Sequence, residues 1–110
     1  MTAAGAGRGA GTPAGLFDPA AFAAELTTVR EFVRFAASRF AEAGLAYGHW
    51  TDNARDEAAY IVLESLHLPI DRLDPHLDRK LAMPERQQLA ALIHARIATR
   101  KPAAYLLNRA

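Results

Sequence analysis

The chain has 110 residues, enough for one domain with a modest core and no more. Thirteen basic side chains against twelve acidic ones give a net charge of +1, without the clustered Lys/Arg excess expected of a direct nucleic-acid binder. There is no cysteine, which excludes disulfides and thiolate metal sites. No run of about eighteen apolar residues could span a membrane. The first residues also lack the apolar stretch of a signal peptide, so the cytoplasm is the expected compartment.

Residues 1–17 read as a disordered tail. Up to Gly15 they are almost wholly Ala, Gly, Thr and Pro, which have too little side chain to offset the entropy of ordering a backbone. A helical domain is expected over 18–110. Asp18 before Pro19 predicts a short helix to about Leu26, burying Phe22 and Leu26. Thr28 and Glu31 form a capping-box pattern ahead of Val29, Phe32, Val33, Ala36 and Phe40, which recur at helical spacing until Gly44 stops the run. Asn53 predicts the cap of a further helix, with Asp56 and Glu57 in its first turn. Its expected buried stripe is Ala54, Ala58, Ile61, Val62 and Ser65, closed at Leu68-Pro69. Pro75 interrupts the leucines at 73, 77 and 81, leaving one or two short turns. A last helix from Pro84 carries Leu89, Leu92, Ile93, Arg96 and Ile97 and ends by Lys101, before Pro102. Its cap position, Met83, is poor, and fraying of the first turn is expected. No alternating β pattern is present. The expected fold is all-α, a small bundle of four to five helices.

Chemistry-bearing residues are sparse. His49, Asp52 and Asp56 could be read as a metal or acid–base set, but acidic residues at a helix start are favoured for the backbone alone. His67, His76 and His94 are scattered, and His94 falls off the apolar stripe, where solvent is its expected environment. Arg96, Arg100 and Lys101 sit near a helix C-terminus, where cations complement the dipole without any ligand. Trp50, beside Tyr47 and His49, suits either a recognition surface or a satellite of the core. The glycines at 5, 7, 9 and 11 follow no strand, so they make no phosphate loop. No catalytic, cofactor-binding or metal residues are assigned.

The block Tyr47-Gly48-His49-x-Thr51-Asp52-Asn53-Ala54-x-Asp56-Glu57-Ala58 resembles the ribosomal-protein glutamine methyltransferases, the branch acting on the third protein of the large ribosomal subunit. Leu26-Thr27-Thr28-Val29-Arg30-Glu31-Phe32, Leu66-His67-Leu68-Pro69 and Pro102-Ala103-Ala104-Tyr105-Leu106 extend the likeness over about residues 25–110. Asn108 stands where the sister release-factor enzymes tend to have glycine, and Trp50 departs from the family's usual glycine. The resemblance implies a helical N-terminal substrate-recognition domain, with a catalytic domain that binds S-adenosylmethionine lying outside this sequence. It also implies a ribosomal-protein substrate and the catalytic domain as partners. Tyr47, His49, Trp50, Asp52, Asn53 and Asp56 become the candidate substrate or interdomain contacts. The alternatives are the corresponding domain of a release-factor glutamine methyltransferase and a free-standing helical interaction or dimerisation module. On this reading the chain alone binds no S-adenosylmethionine and transfers no methyl group. Saturable one-to-one binding in a calorimeter would contradict it.

Overall fold

The computed structural model describes residues 16–47, 53–69 and 71–108. Among them are five α-helices, one 3-10 turn and no strand, the all-α bundle expected. Helix α1, Pro19–Glu25, starts as the Asp18-Pro19 pair predicts, with Asp18 Oδ1 accepting from the Ala20 N–H at 3.1 Å. Its fully buried residue is Ala23, whereas Leu26 is half-buried against the core and Phe22 half-buried against the rings of Phe17 and Phe35.

Helix α2, Val29–Ala43, carries the predicted capping box. Thr28 Oγ1 accepts from Glu31 N at 3.2 Å, and Glu31 Oε1 accepts from the N–H groups of Thr27 and Thr28 at 2.7 and 3.1 Å. Those backbone donors, Thr27 first, hold the Glu31 carboxyl below the usual carboxylate range. Val29, Phe32, Val33, Ala36 and Phe40 form its buried face, and Gly44 ends it at φ 65°, a left-handed conformation that glycine adopts without a Cβ clash.

Helix α3, Ala54–Ser65, is capped by Asn53, whose Oδ1 accepts from Asp56 N at 2.8 Å. Ala58, Ile61, Val62 and Leu63 are buried, while Ala54 and Ser65 of the expected stripe are half-buried. After it, Asp74–His76 make a 3-10 turn at Pro75. Helix α4, Met83–Thr99, begins one residue before the proline. Its cap residue, Ala82, has no side-chain acceptor, but Glu85 accepts from the Ala82 N–H at 3.0 Å and from Arg79 Nη2 at 2.8 Å. The first turn expected to fray is thereby bonded from both sides. Helix α4 ends at Thr99, with Arg100 in the left-handed conformation at φ 61°, short of the expected limit at Lys101. The chain resumes as helix α5, Ala103–Asn108, which the sequence reading omitted, and its first bond runs from Leu106 N to the Pro102 carbonyl at 3.2 Å.

Helix α2 packs against α3, α1 against α4, and α3 also touches α4 and α5. A short antiparallel bridge at Thr28 and Lys80 fastens the α1–α2 linker to the 77–81 segment, with Leu81 N bonded to the Thr27 carbonyl at 2.7 Å. Leu16 and Phe17, assigned by composition to the tail, pack against the core. Phe17 meets Phe22, Phe35 and His94 edge-on at 5.4, 4.7 and 5.7 Å between ring centroids. Phenylalanine brings the apolar area that residues 1–15 lack, so packing reaches two residues further back than composition alone suggests. The expected disorder of residues 1–15 lies outside the described residues. His94, expected in solvent, is half-buried against Phe17.

Phe32 and Ile61 face the same core from α2 and α3, each with at most 1% exposure. Replacing either with alanine should cost about 2–5 kcal/mol in denaturant unfolding, the usual range for emptying such a site.

Candidate functional site

The first turn of α3 organises the charged chemistry of the molecule. Asn53 fixes the start of the helix, and its amide Nδ2 donates to Asp56 Oδ2 at 3.3 Å. Asp56 therefore serves the cap, as a carboxylate in a first helical turn ordinarily does. One residue on, Glu57 turns inward and is 4% exposed. Its carboxylate accepts from Nε of Arg96, a residue of α4 that is 2% exposed. The same guanidinium donates through Nη2 to the Ala46 carbonyl at 2.7 Å. One planar fork thus joins α4, α3 and the chain leaving α2.

Arg100, one turn further along α4, acts on the same stretch. Its Nη2 donates to the carbonyls of Ala43 and Gly44 at 3.3 and 3.0 Å, and Nη1 also reaches Ala43 at 3.3 Å. These acceptors are carbonyls at the end of α2, which have no partner within the helix. The dipole of α4 is therefore an insufficient account of either arginine. Arg96 is a buried ion-pair member, and Arg100 is a cap for a neighbouring helix.

Tyr47 is half-buried beside this pair and packs against the core. Its hydroxyl is buried and has no hydrogen-bond partner among the described residues. Burial pushes the phenol pKa up, the Arg96 charge opposes that shift and the Glu57 charge adds to it, so Tyr47 is a neutral phenol at physiological pH. Of the six candidate contacts, Tyr47 lies beside the Glu57–Arg96 pair, while Asn53 and Asp56 are exposed and cap the helix that carries Glu57. His49, Trp50 and Asp52 lie outside the described residues.

An open groove of about 470 Å³ runs along the outer side of this turn, between Arg55, Asp56 and Ala59 of α3 and Asp71, Arg72 and Asp74 of the following loop. Both signs of charge line it, which suits a polar polypeptide segment better than an apolar ligand. Among the described residues no cluster of His, Asp and Glu could hold a metal. No described helix is long and apolar enough to cross a membrane.

The sequence reading missed Glu57, Arg96 and the 71–74 side of the groove. A signal was available for the first two. Glu57 stands four residues before Ile61, and Arg96 three after Ile93, so each occupies an apolar-face position of its helix. Opposite charges at such positions on two helices are a ground for pairing them, because a buried charge needs a partner.

The sequence is similar, over most of its length, to the N-terminal part of protein glutamine methyltransferases. A ribosomal protein uL3 glutamine methyltransferase of Neisseria meningitidis is 54% identical over 88 residues, covering 80% of this chain and 29% of that protein. Its namesakes in Burkholderia pseudomallei and Xanthomonas campestris are 54% and 46% identical over 83 and 91 residues, 76% and 83% of this chain. This chain spans 27% and 30% of those two relatives, and the match falls in the N-terminal part of such enzymes. No family model and no solved structure matches it.

Removing one member of the buried pair takes from the other the opposite charge it is paired with. Arg96→Met should therefore cost about 3–5 kcal/mol, far more than the ±0.5 kcal/mol of an ordinary surface change. Urea unfolding of the 110-residue chain measures the difference.

Proposed function

We propose that this chain is the substrate-recognition domain of an S-adenosylmethionine-dependent protein-(glutamine-N5) methyltransferase. It is non-catalytic by itself, and the enzyme acts in the cytoplasm on a large-subunit ribosomal protein. The observation that carries the reading is the 54% identity over 88 residues to enzymes named for that activity. The domain grips the protein substrate along the segment from Tyr47 to Asp56 and in the polar groove beside it, and the catalytic domain supplies the chemistry.

Among the described residues, none forms a turn that fits the cofactor. Gly44, the one described glycine, ends a helix, whereas a nucleoside-bearing cofactor of this kind calls for a glycine-rich turn after a strand. No step through S-adenosylmethionine is assigned to this chain. Its contribution is geometric. An amide nitrogen is a weak nucleophile, and the rate of its methylation depends on how well it is held. Binding energy gathered on a separate domain is one source of that hold.

The same residues could instead brace the two domains, a reading favoured by the packing of Tyr47 against the core. Substitutions on the groove separate the two. Arg55 and Asp74 are exposed, so Arg55→Ala/Asp74→Ala should leave the thermal midpoint within about 2 °C in the full-length methyltransferase. Under the recognition reading it lowers kcat/KM for the protein substrate at least about tenfold, equivalent to 1.4 kcal/mol of transition-state binding. His49→Ala should act in the same direction. Unchanged kcat/KM in both variants would reject recognition at this surface. A large loss of stability with unchanged activity per folded molecule would make these residues braces.

A further inference from the structure

The Arg96 guanidinium touches both sides of one short stretch of chain. On one side it bonds the Ala46 carbonyl, immediately before Tyr47. On the other it pairs with Glu57, one turn into the helix that Asn53 caps. Arg100 fixes the carbonyls of Ala43 and Gly44 just upstream. Three parts of the chain, the end of α2, the residues leading to Tyr47 and the first turn of α3, are therefore referenced to the last turn of α4 and its C-cap.

Stability does not explain the choice of charged residues. Buried ion pairs can often be replaced by apolar side chains of similar volume with no loss, or a gain, in folding free energy. A planar guanidinium adds direction, because its donors leave at fixed angles and hold two acceptors at a set separation. The groove lined by Arg55 and Asp56 abuts the same turn, so its orientation relative to Tyr47 depends on the pair.

We propose that Arg96 and Glu57 are positioning residues for capture of the protein substrate, holding Tyr47 and the first turn of α3 in the relative placement that binding requires. The proposal rests on the recognition reading above, and it assigns the pair no contact with substrate or cofactor.

The test uses the paired substitution Glu57→Leu/Arg96→Met, which keeps side-chain volume and removes both charges together. In the 110-residue chain the expected result is an unchanged helical spectrum and a thermal midpoint within a few degrees. Amide exchange at residues 45–47 and 53–54 should become at least tenfold faster, while exchange in the α2 core is unchanged. In the full-length methyltransferase KM for the protein substrate should rise at least tenfold, with KM for S-adenosylmethionine unaltered. Arg96→Lys keeps the charge but loses the fork. It should show the same split to a smaller degree, and it carries the test if the paired variant does not fold. Unchanged exchange with unchanged protein KM overturns the proposal. Faster exchange with unchanged protein KM also overturns it, because the pair would then order the segment without serving capture. The groove substitution distinguishes the two readings. If Arg55→Ala/Asp74→Ala impairs methylation while the paired variant does not, positioning alone fails. If neither impairs it, recognition at this surface fails as well.

Discussion

Two opposite charges inside so small a domain constrain everything around them. A domain of this length has a net stability on the order of 5–15 kcal/mol, and a lone buried charge would consume several of these. Separating Glu57 from Arg96 would therefore remove a large share of the stability of the fold. Apolar side chains on α3 and α4 could slide by a fraction of a turn and still exclude water. The ion pair cannot, and it fixes the rotation of α3 against α4. With Ala46 bonded to the same guanidinium, the chain leaving α2 is fixed as well.

The opposite side of the bundle is held by different means. There the α1–α2 linker is tied to the 77–81 segment by backbone hydrogen bonds and the exposed Arg30–Asp78 pair at 3.0 Å. The rings of Phe17, Phe22 and Phe35 cluster beneath Arg39, whose guanidinium lies 5.6 and 5.2 Å from the last two. Ring packing contributes area without much direction, and an exposed ion pair contributes little net energy. Charge-assisted contacts occur on both sides, including Glu31 on the Thr27 and Thr28 N–H groups and Arg86 on the Leu81 and Ala23 carbonyls, but the buried ion pair lies where α2, α3 and α4 meet beside Tyr47.

This division also explains which features could be seen in the sequence. Caps are local. Thr28 with Glu31, Asn53 with Asp56, and Gly44 each act within four residues, so spacing alone identifies them, and α2 and α3 follow. The all-α class follows from the same periodicities. Glu57 and Arg96 are 39 residues apart, and each has a sufficient local explanation, a carboxylate in a first turn and a cation in a last turn. Local rules accounted for both residues and so concealed their pairing. Phe17 and His94 were hidden for the same reason, since their contact joins the start of the chain to α4. Helix α5 was hidden by the rule that proline ends helices, which is silent about a helix that starts just after one. The groove needed the 71–74 loop brought beside α3, and no spacing pattern encodes that.

A domain that holds a substrate for another domain has to be stiff along one direction in particular. Misplacing the target amide by an ångström would forfeit much of the advantage of binding it, since proximity is effective only near the reactive geometry. Under the proposed reading, error in the gripping surface passes to the reacting nitrogen through whatever joins Tyr47 and the first turn of α3 to the rest of the bundle. Those joints are a buried guanidinium fork, a helix cap and an arginine on the last carbonyls of α2, each with defined angles. Where α1 meets α4, apolar packing is joined by a longer bond from Arg86 Nη1 to the Ala23 carbonyl at 3.5 Å. A bundle selected for stability alone would have no reason to bury an ion pair here, because an apolar pair would fold as well. Under the proposed reading, a buried fork beside Tyr47 and the first turn of α3 is what geometry-dependent work at that surface requires.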